Sequence, residues 1–437
     1  MGAYIHEQPG YSRNGRAVEH ETATTSGLER RSSETGLIDS PLLRPHVPAL
    51  DGKRGLAILA IMVLHFGDLC GQATAAQRAW HALISPLWMG VDLFFVLSGF
   101  LITRILLSTK GKPRFFFNFY GRRTVRIFPL YYGVLLGIFV LLPLIRPGRP
   151  TPELRAQQIW FWTYLSNFRM AWTGQLWATD TVRVNHFWSL AVEEQFYLVW
   201  PTLVYLMDRR WLRRMCLAVI AAAPVARAVA ILGFQVRWAV VFGTTPFRMD
   251  TLCYGALIAV LAQDAKALQR VRRWAPLAVA LCLAGLACVF AARGDLDSGQ
   301  RSIQISAYTL TGPLFAGLIL WTLAKPGPTR LSRAFEARWL TLLGKYSYGL
   351  YVLHYLLMPQ FQHIFSLIDP RASGELGLVQ TLAFEALAMA CSLVIAILSY
   401  HFYEAQFLKI KRYFSSRNSA EIPSPVGVSG PLAAGSE

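Results

Sequence analysis

The chain has 437 residues, of which 54% are apolar and only 16% are charged, and its mean hydropathy is positive at +0.36. Ordinary soluble proteins carry about 25% charged residues, so the composition excludes a typical soluble globular fold and indicates that lipid surrounds much of the chain. The formal net charge of +18 is common in nucleic-acid-binding proteins, but the cations here lie between apolar segments, and we expect no nucleic-acid partner.

Polar residues dominate both ends of the chain. We interpret residues 1–49 as a disordered cytoplasmic tail, residues 50–413 as one transmembrane domain and residues 414–437 as a second polar cytoplasmic tail. Because a helix of about 20 residues crosses a bilayer and pairs its own backbone groups, the sequence predicts an all-α fold with about ten transmembrane helices. The predicted spans are residues 55–70, 85–107, 127–146, 187–207, 212–233, 246–263, 274–292, 303–324, 344–365 and 378–402.

Lysine and arginine are concentrated in alternate loops between these spans, at residues 110–126, 209–214, 266–273 and 325–338. The other loops contain few basic residues, except for the long loop 147–186. The positive-inside rule therefore predicts that both termini are cytoplasmic. We expect a multi-pass protein of the inner (plasma) membrane.

The segment LDGKRGLAILAIMVLHF, which leads into the first span, contains Arg54 and His65, eleven residues apart. This spacing returns to nearly the same helix face about 16 Å further along the axis, with Arg54 at the cytoplasmic edge and His65 deeper in the membrane. A neutral histidine can accept a proton, so His65 is the candidate general base. The alternative is a core histidine that is hydrogen-bonded to a neighbouring helix.

A cationic cluster stands before the third span, in the segment FYGRRTVRIFPLYY. It contains Arg122, Arg123 and Arg126, and the last two lie one helical turn apart, so both can face one anion. Guanidinium groups suit phosphate oxygens, which predicts a site for a phosphorylated cosubstrate. The alternative is a positively charged membrane anchor.

Carboxylates and a further arginine also occur at membrane depth, where ionisable groups are costly and indicate function by default. Glu193 and Glu194 lie about two turns inside the fourth span; we expect one to enter the bundle and the other to pair sideways. Asp92 lies near the outer end of the second span, and Arg248 and Asp250 open the sixth. For these three, ion pairing between helices is the alternative to substrate binding.

Three other residues have structural interpretations. Ser98 and Gly99 are small residues in the middle of the second span, where they favour close helix packing. His354, in the ninth span, is a weaker base candidate, for which we expect a structural hydrogen bond to a backbone carbonyl. The six cysteines show no metal-ligand spacing, so no metal site is predicted.

Six segments of the chain, in this order, resemble the membrane acyltransferase-3 family, the integral membrane O-acyltransferases of bacterial surface polysaccharides: LDGKRGLAILAIMVLHF, GVDLFFVLSGFLIT, FYGRRTVRIFPLYY, FWSLAVEEQFY, FRMDTLCYGALIA and KYSYGLYVLH. The resemblance covers residues 50 to about 408, in the stand-alone form without an appended hydrolase-like domain. It implies ten transmembrane helices and an acyl-CoA donor, commonly acetyl-CoA, taken from the cytoplasm. It also implies functional roles for the pair Arg54 and His65, for Arg123 and Arg126, and for Glu193.

The resulting hypothesis is a membrane O-acyltransferase. Acyl-CoA is the cosubstrate and docks on Arg54, Arg122, Arg123 and Arg126. We expect the protein to hold no bound cofactor. His65 then acts as general base on the acceptor hydroxyl or carries the acyl group as a transient acyl-histidine. Glu193 is the second predicted catalytic residue, and together with Asp92 it is expected to shape the outer, acceptor-facing side. The predicted substrate-binding residues are Asp92, Glu194, Arg248 and Asp250.

The expected partners are membrane lipid, acyl-CoA and a carbohydrate or glycolipid acceptor. Polysaccharide, lipid-linked oligosaccharide, antibiotic macrolide and Nod-factor-like glycolipid acceptors all fit this hypothesis. The alternative from another class is a transporter of a lipid or organic anion, because intramembrane charges suit transport as well. Transporters often have internal repeats, and none stands out in this sequence.

Overall fold

The structure, a computed structural model, describes four stretches of the chain, residues 47–175, 182–323, 329–370 and 375–414. These stretches are almost entirely helical and contain no strand; an isolated bridge joins Cys70 to Leu376. The predicted all-α class is confirmed. The two predicted polar tails lie outside the described residues except at their inner edges.

The principal helices are labelled α1 to α13 in chain order, and the short connecting helices carry no label. They are α1 (Pro48–Gly67), α2 (Ala75–Ile84), α3 (Met89–Thr109), α4 (Phe115–Leu136), α5 (Phe187–Leu206), α6 (Arg209–Ala228), α7 (Thr245–Leu261), α8 (Ala275–Arg293), α9 (Arg301–Leu323), α10 (Arg338–Lys345), α11 (Ser347–Leu356), α12 (Met358–Ile368) and α13 (Leu378–Ser399).

Six helical segments in the described part are long and apolar enough to cross a membrane, and they include α3, α4, α6, α8, α9 and α13. Each coincides with a predicted span, so a multi-pass membrane protein is supported. The other four predicted spans coincide with α1, α5, α7 and the pair α11–α12. These helices are short, interrupted or charged, and the count of ten spans stays a prediction, as does the cytoplasmic side of the termini.

Helices α3 and α7 pack with their backbones in contact. A Cβ atom added at Gly99 of α3 would lie 1.9 Å from the carbonyl oxygen of Leu252, and one added at Gly255 of α7 would lie 1.9 Å from that of Val96. A real Cβ cannot approach a backbone oxygen so closely, so glycine is required at both positions. The packing interpretation of Gly99 is confirmed.

Helix α1 is held against α10 in the same way. A Cβ at Gly55 would lie 2.0 Å from the carbonyl oxygen of Leu340, and one at Gly344 would lie 1.8 Å from that of Asp51. Beside this contact, Lys53 is fully buried, and its Nζ lies 4.5 Å from the centroid of a phenylalanine ring. The helix that carries Arg54 and His65 is therefore fixed along its first half.

Candidate active site

A cavity of about 550 Å³ opens at the end of the bundle where α1 begins and α3 ends. We call it the basic cavity, because residues from α1, α3, α4 and the neighbouring segments surround it with positive charge. Its basic lining residues are Arg54, Arg104, Lys112, Arg122, Arg123, Arg126, Lys345 and Lys411. The four residues predicted to bind a phosphorylated cosubstrate thus lie together.

Few negative groups balance this charge. Among the described residues that line the basic cavity, Asp51 is the only acidic one, and it lies 3.5 Å from Arg54. Arg122 donates through Nε to the carbonyl oxygen of Phe414 at 2.6 Å, and the Arg123 guanidinium lies 5.2 Å from the ring centroid of Tyr197. The surplus of guanidinium groups is suited to an anion with several phosphate oxygens.

A second cavity of about 90 Å³ adjoins the first and runs deeper into the bundle. We call it the inner cavity. Arg54, Arg123 and Arg126 line both cavities, and the inner one extends from them to Ser189 on α5 and Tyr351 on α11. The basic end of the protein is thereby connected to the middle of the helix bundle.

Both predicted carboxylates line the inner cavity, so our expectation that only one would enter the bundle was wrong. The lining residues of α5 run from Ser189 to Tyr197 and cover an arc of about 140°, wide enough for Glu193 and Glu194 together. Ser98 on α3 donates a hydrogen bond to Glu193 Oε1 at 2.5 Å. Ser98 therefore has a polar contact in the cavity in addition to its place beside the packing glycine.

The inner cavity ends at a wall formed by Ser189 and Tyr351. Their hydroxyl groups are hydrogen-bonded to each other, and they lie 3.0 and 3.1 Å respectively from the carbonyl oxygen of His186. Both residues are buried. We refer to this pair as the end wall.

Behind the end wall lies a cluster of three histidines. His65, in the last turn of α1, places Nδ1 2.8 Å from Nε2 of His354, and the His186 and His354 ring centroids are 5.4 Å apart. His354 Nδ1 lies 2.8 and 2.9 Å from the carbonyl oxygens of Leu350 and Tyr351. The predicted carbonyl contact of His354 is confirmed. His65 lines neither cavity.

The contacts of His354 determine where the protons lie in the neutral rings. Two carbonyl oxygens face His354 Nδ1, so that atom carries the proton and donates. His354 Nε2 then accepts a hydrogen bond from His65 Nδ1–H. This leaves the lone pair of His65 on Nε2, in the form that a general base or nucleophile needs. No His, Cys, Asp and Glu group in the described part is arranged to hold a metal ion.

Three predicted substrate-binding residues lie apart from both cavities. Arg248 is hydrogen-bonded to Asp92, and Arg227 NH1 lies 2.8 Å from Asp250 Oδ2. All four side chains are buried. The geometry therefore matches the alternative of interhelical ion pairing, which joins α3, α6 and α7. Glu194 is the only predicted substrate-binding residue that lines either cavity.

Two residues in these clusters were not predicted. Arg227 is an arginine inside the apolar predicted span 212–233, and this unusual placement was the signal for its pairing. His186 directly precedes the segment FWSLAVEEQFY. Its proximity to His354 depends on the packing of α5 against α11, which no local pattern encodes.

The family model described as an acyltransferase domain, Acyl_transf_3, matches residues 47–401. This match includes the histidine cluster and every lining residue of both cavities except Lys411. The chain belongs to the acyltransferase-3 family. The family resemblance of the six sequence segments is thereby confirmed.

Two relatives illustrate the range of this acyltransferase-3 family. The chain is 25% identical over 381 residues to the peptidoglycan O-acetyltransferase OatA of Listeria monocytogenes, a match that covers 84% of this chain and 56% of that protein. It is 26% identical over 329 residues to the O-acetyltransferase OatA of Staphylococcus aureus, covering 71% of this chain and 50% of that protein. The chain thus spans about half the length of these relatives. No solved structure matches it.

Proposed function

We propose that this acyltransferase-3 protein is a membrane O-acetyltransferase that moves an acetyl group from cytoplasmic acetyl-CoA to a hydroxyl of an extracytoplasmic or lipid-linked carbohydrate. The observation that carries the proposal is the line formed by the basic cavity, the inner cavity and the histidine cluster. It combines an anion site, a narrow channel and a proton acceptor in one bundle. The printed names of the relatives support acetyl transfer to a carbohydrate.

The donor binds at the basic cavity. Its nucleotide phosphates contact Arg122, Arg123 and Arg126, and Arg54 stands where the basic cavity meets the inner one. The positive-inside rule orients this end toward the cytoplasm, where acetyl-CoA is made. The thin pantetheine arm follows the inner cavity past Glu193 toward the end wall.

His65 is the general base in the transfer step. The acceptor oxygen bonds to the thioester carbonyl carbon, the carbon–sulfur bond breaks, and the hydroxyl proton moves to His65 Nε2. Coenzyme A leaves as the thiolate and takes up that proton, so the products are an ester and a thiol. A transient acetyl on His65 Nε2 uses the same lone pair. In either route, the end wall has to open to let the thioester meet His65.

The test measures acetyl-CoA consumption and ester formation by the full chain in proteoliposomes. We expect His65→Ala and Arg123→Ala to reduce transfer at least a hundredfold, because one removes the base and the other removes a phosphate contact. His363→Ala and Arg270→Ala are the matched controls, since both residues are exposed and lie outside both cavities; they should retain wild-type rates.

Wild-type rates in folded His65→Ala protein would remove the catalytic role of His65. A wild-type protein that moves an organic anion across the vesicle membrane without consuming the thioester would instead be a transporter. Thiol release is measured with a chromogenic disulfide, and folding of each variant is checked by its elution volume in detergent.

A further inference from the structure

Arg183 lies beside the histidine cluster, on the side away from the cavities. Its guanidinium is 5.6 Å from the ring centroid of Tyr355, and that ring is 4.2 Å from the ring of His65. Tyr355 therefore contacts both the candidate base and a cation. The segment that carries Arg183 is the end of the long loop 147–186, which the positive-inside rule places outside the cell.

The partners of Arg183 are weak acceptors. One guanidinium nitrogen lies 3.0 Å from the Met358 sulfur and the other lies 3.5 Å from Gln362 Oε1. In the described part of the chain, no carboxylate lies within ion-pairing distance of it. Arg227 and Arg248, by contrast, each pair with an aspartate. A half-buried guanidinium without an anionic partner gains most from a ligand that brings one.

Two hydrogen-bond acceptors follow in the same segment. His186 is 3% exposed, and its Nε2 lies 3.2 Å from the carbonyl oxygen of Val352, so the proton sits on Nε2 and Nδ1 carries a lone pair. Neither His186 Nδ1 nor Asn185 Oδ1 has a hydrogen-bond partner among the described residues, although both atoms are buried. Buried acceptors of this kind are normally satisfied by a donor.

Together these groups offer one cation and two acceptors in a segment that adjoins the histidine cluster. A sugar supplies hydroxyl donors for the acceptors, and an acidic group on that sugar supplies the anion. We propose that Arg183, Asn185 and His186 form the acceptor subsite, and that the acceptor is a carbohydrate with a carboxylate or phosphate close to the hydroxyl that receives the acyl group. This inference rests on the proposed function, because it takes His65 as the base.

The test compares three small saccharides that share one core and differ in the group attached to it: an oligosaccharide with one uronic acid, its neutral methyl ester, and the neutral core carrying a phosphate monoester. Binding of each to the full chain in detergent is measured by calorimetry. We expect one or both charged forms to bind at least tenfold more tightly than the ester. The form that binds more tightly identifies the acidic group.

Substitutions separate this subsite from a general effect of charge. Arg183→Gln should abolish the preference for the charged saccharide, and Arg183→Lys should retain most of it because the positive charge stays. Arg237→Gln is the matched control, since Arg237 is an exposed arginine that donates to the carbonyl oxygen of Trp172 and has no contact with the histidine cluster; its preference should equal that of the wild type.

The subsite is overturned if the wild type binds charged and neutral saccharides equally or binds none of them, or if Arg183→Gln keeps the preference. Acetyl-CoA consumption is measured on the same preparations. A protein that consumes the thioester in a His65-dependent way but shows no preference loses only this inference, whereas a protein that consumes none loses the proposed function.

Discussion

At the scale of single residues, we expect His354 to position the ring of His65 for the proposed reaction. Its ring donates to two backbone carbonyls and accepts from His65, so it holds the His65 lone pair on Nε2. His354 lines neither the basic cavity nor the inner cavity. Loss of this residue should therefore affect the rate of transfer rather than the binding of acetyl-CoA.

We expect His354→Ala to lower kcat about tenfold to a hundredfold, which corresponds to about 1.4–2.7 kcal/mol of activation free energy, with the KM for acetyl-CoA unchanged. His354→Gln should recover part of the rate, because the glutamine carbonyl oxygen can accept from His65 Nδ1–H. Steady-state kinetics measure kcat and the KM for acetyl-CoA of both variants. If kcat falls equally in His354→Ala and His354→Gln, His354 has a packing role instead.

Local spacing predicted some of these residues and missed others for a physical reason. Arg123 and Arg126 are one turn apart on one helix, and the expected shared face is present because both line the same two cavities. The contact between His65 and His354 joins residues 289 positions apart. Such a contact depends on how separate helices pack, and the sequence of either helix alone does not contain that information.

At the scale of helices, the glycine contacts between α3 and α7 fix the position of α3. They thereby fix the position of Ser98 and of the other α3 residues that line the inner cavity. A methyl group at Gly99 would overlap a backbone oxygen that cannot move without displacing α7. Overpacking of this kind costs about 1–3 kcal/mol or more. The helix pair therefore tolerates no larger residue at this point.

Gly99→Ala should lower the thermal unfolding midpoint by about 1–4 °C, because the shift per kcal/mol is small for a domain of this size, and reduce the yield of folded protein. Gly137→Ala is the control, since no atom lies within 4 Å of a Cβ at that position, and alanine there should leave the midpoint within error of the wild type. Tryptophan fluorescence on heating in detergent measures both. An unchanged midpoint for Gly99→Ala would mean that α3 and α7 separate easily.

Hydrophobicity predicted the long helices well, since the apolar segments that contain α3, α4, α6, α8, α9 and α13 are all long enough to cross a bilayer. The break between α11 and α12 at Leu357 was not predicted, because the residues on both sides are apolar and Pro359 lies inside the single predicted span 344–365. Proline in the first turn of α12 favours a new helix start at that point.

The whole molecule has two chemically different ends. The basic cavity opens at one end, and the histidine cluster with Arg183 lies toward the other, with the end wall between them. If the proposed orientation holds, donor and acceptor approach from opposite sides of the membrane. The basic loop 110–126, which the positive-inside rule predicts to be cytoplasmic, contributes lining residues to the basic cavity, so the proposed orientation places that cavity on the cytoplasmic side.

Membrane vesicles of known orientation test this arrangement. Acetyl-CoA is charged and does not cross a bilayer, so inside-out vesicles should release coenzyme A when it is added outside, and right-side-out vesicles should release less than about a tenth as much until they are permeabilised. Arg123→Ala vesicles serve as the blank. Equal release from both intact preparations would contradict the orientation.

The bond between Ser189 and Tyr351 has a consequence for the cell as well as for the reaction. A water-filled passage from the basic cavity through to the histidines would let protons run down their gradient across the membrane. Ser189 and Tyr351 are buried and hydrogen-bonded to each other, so this contact blocks such a passage in this structure. In the proposed reaction it would also shield a bound thioester from hydrolysis by water from the far side.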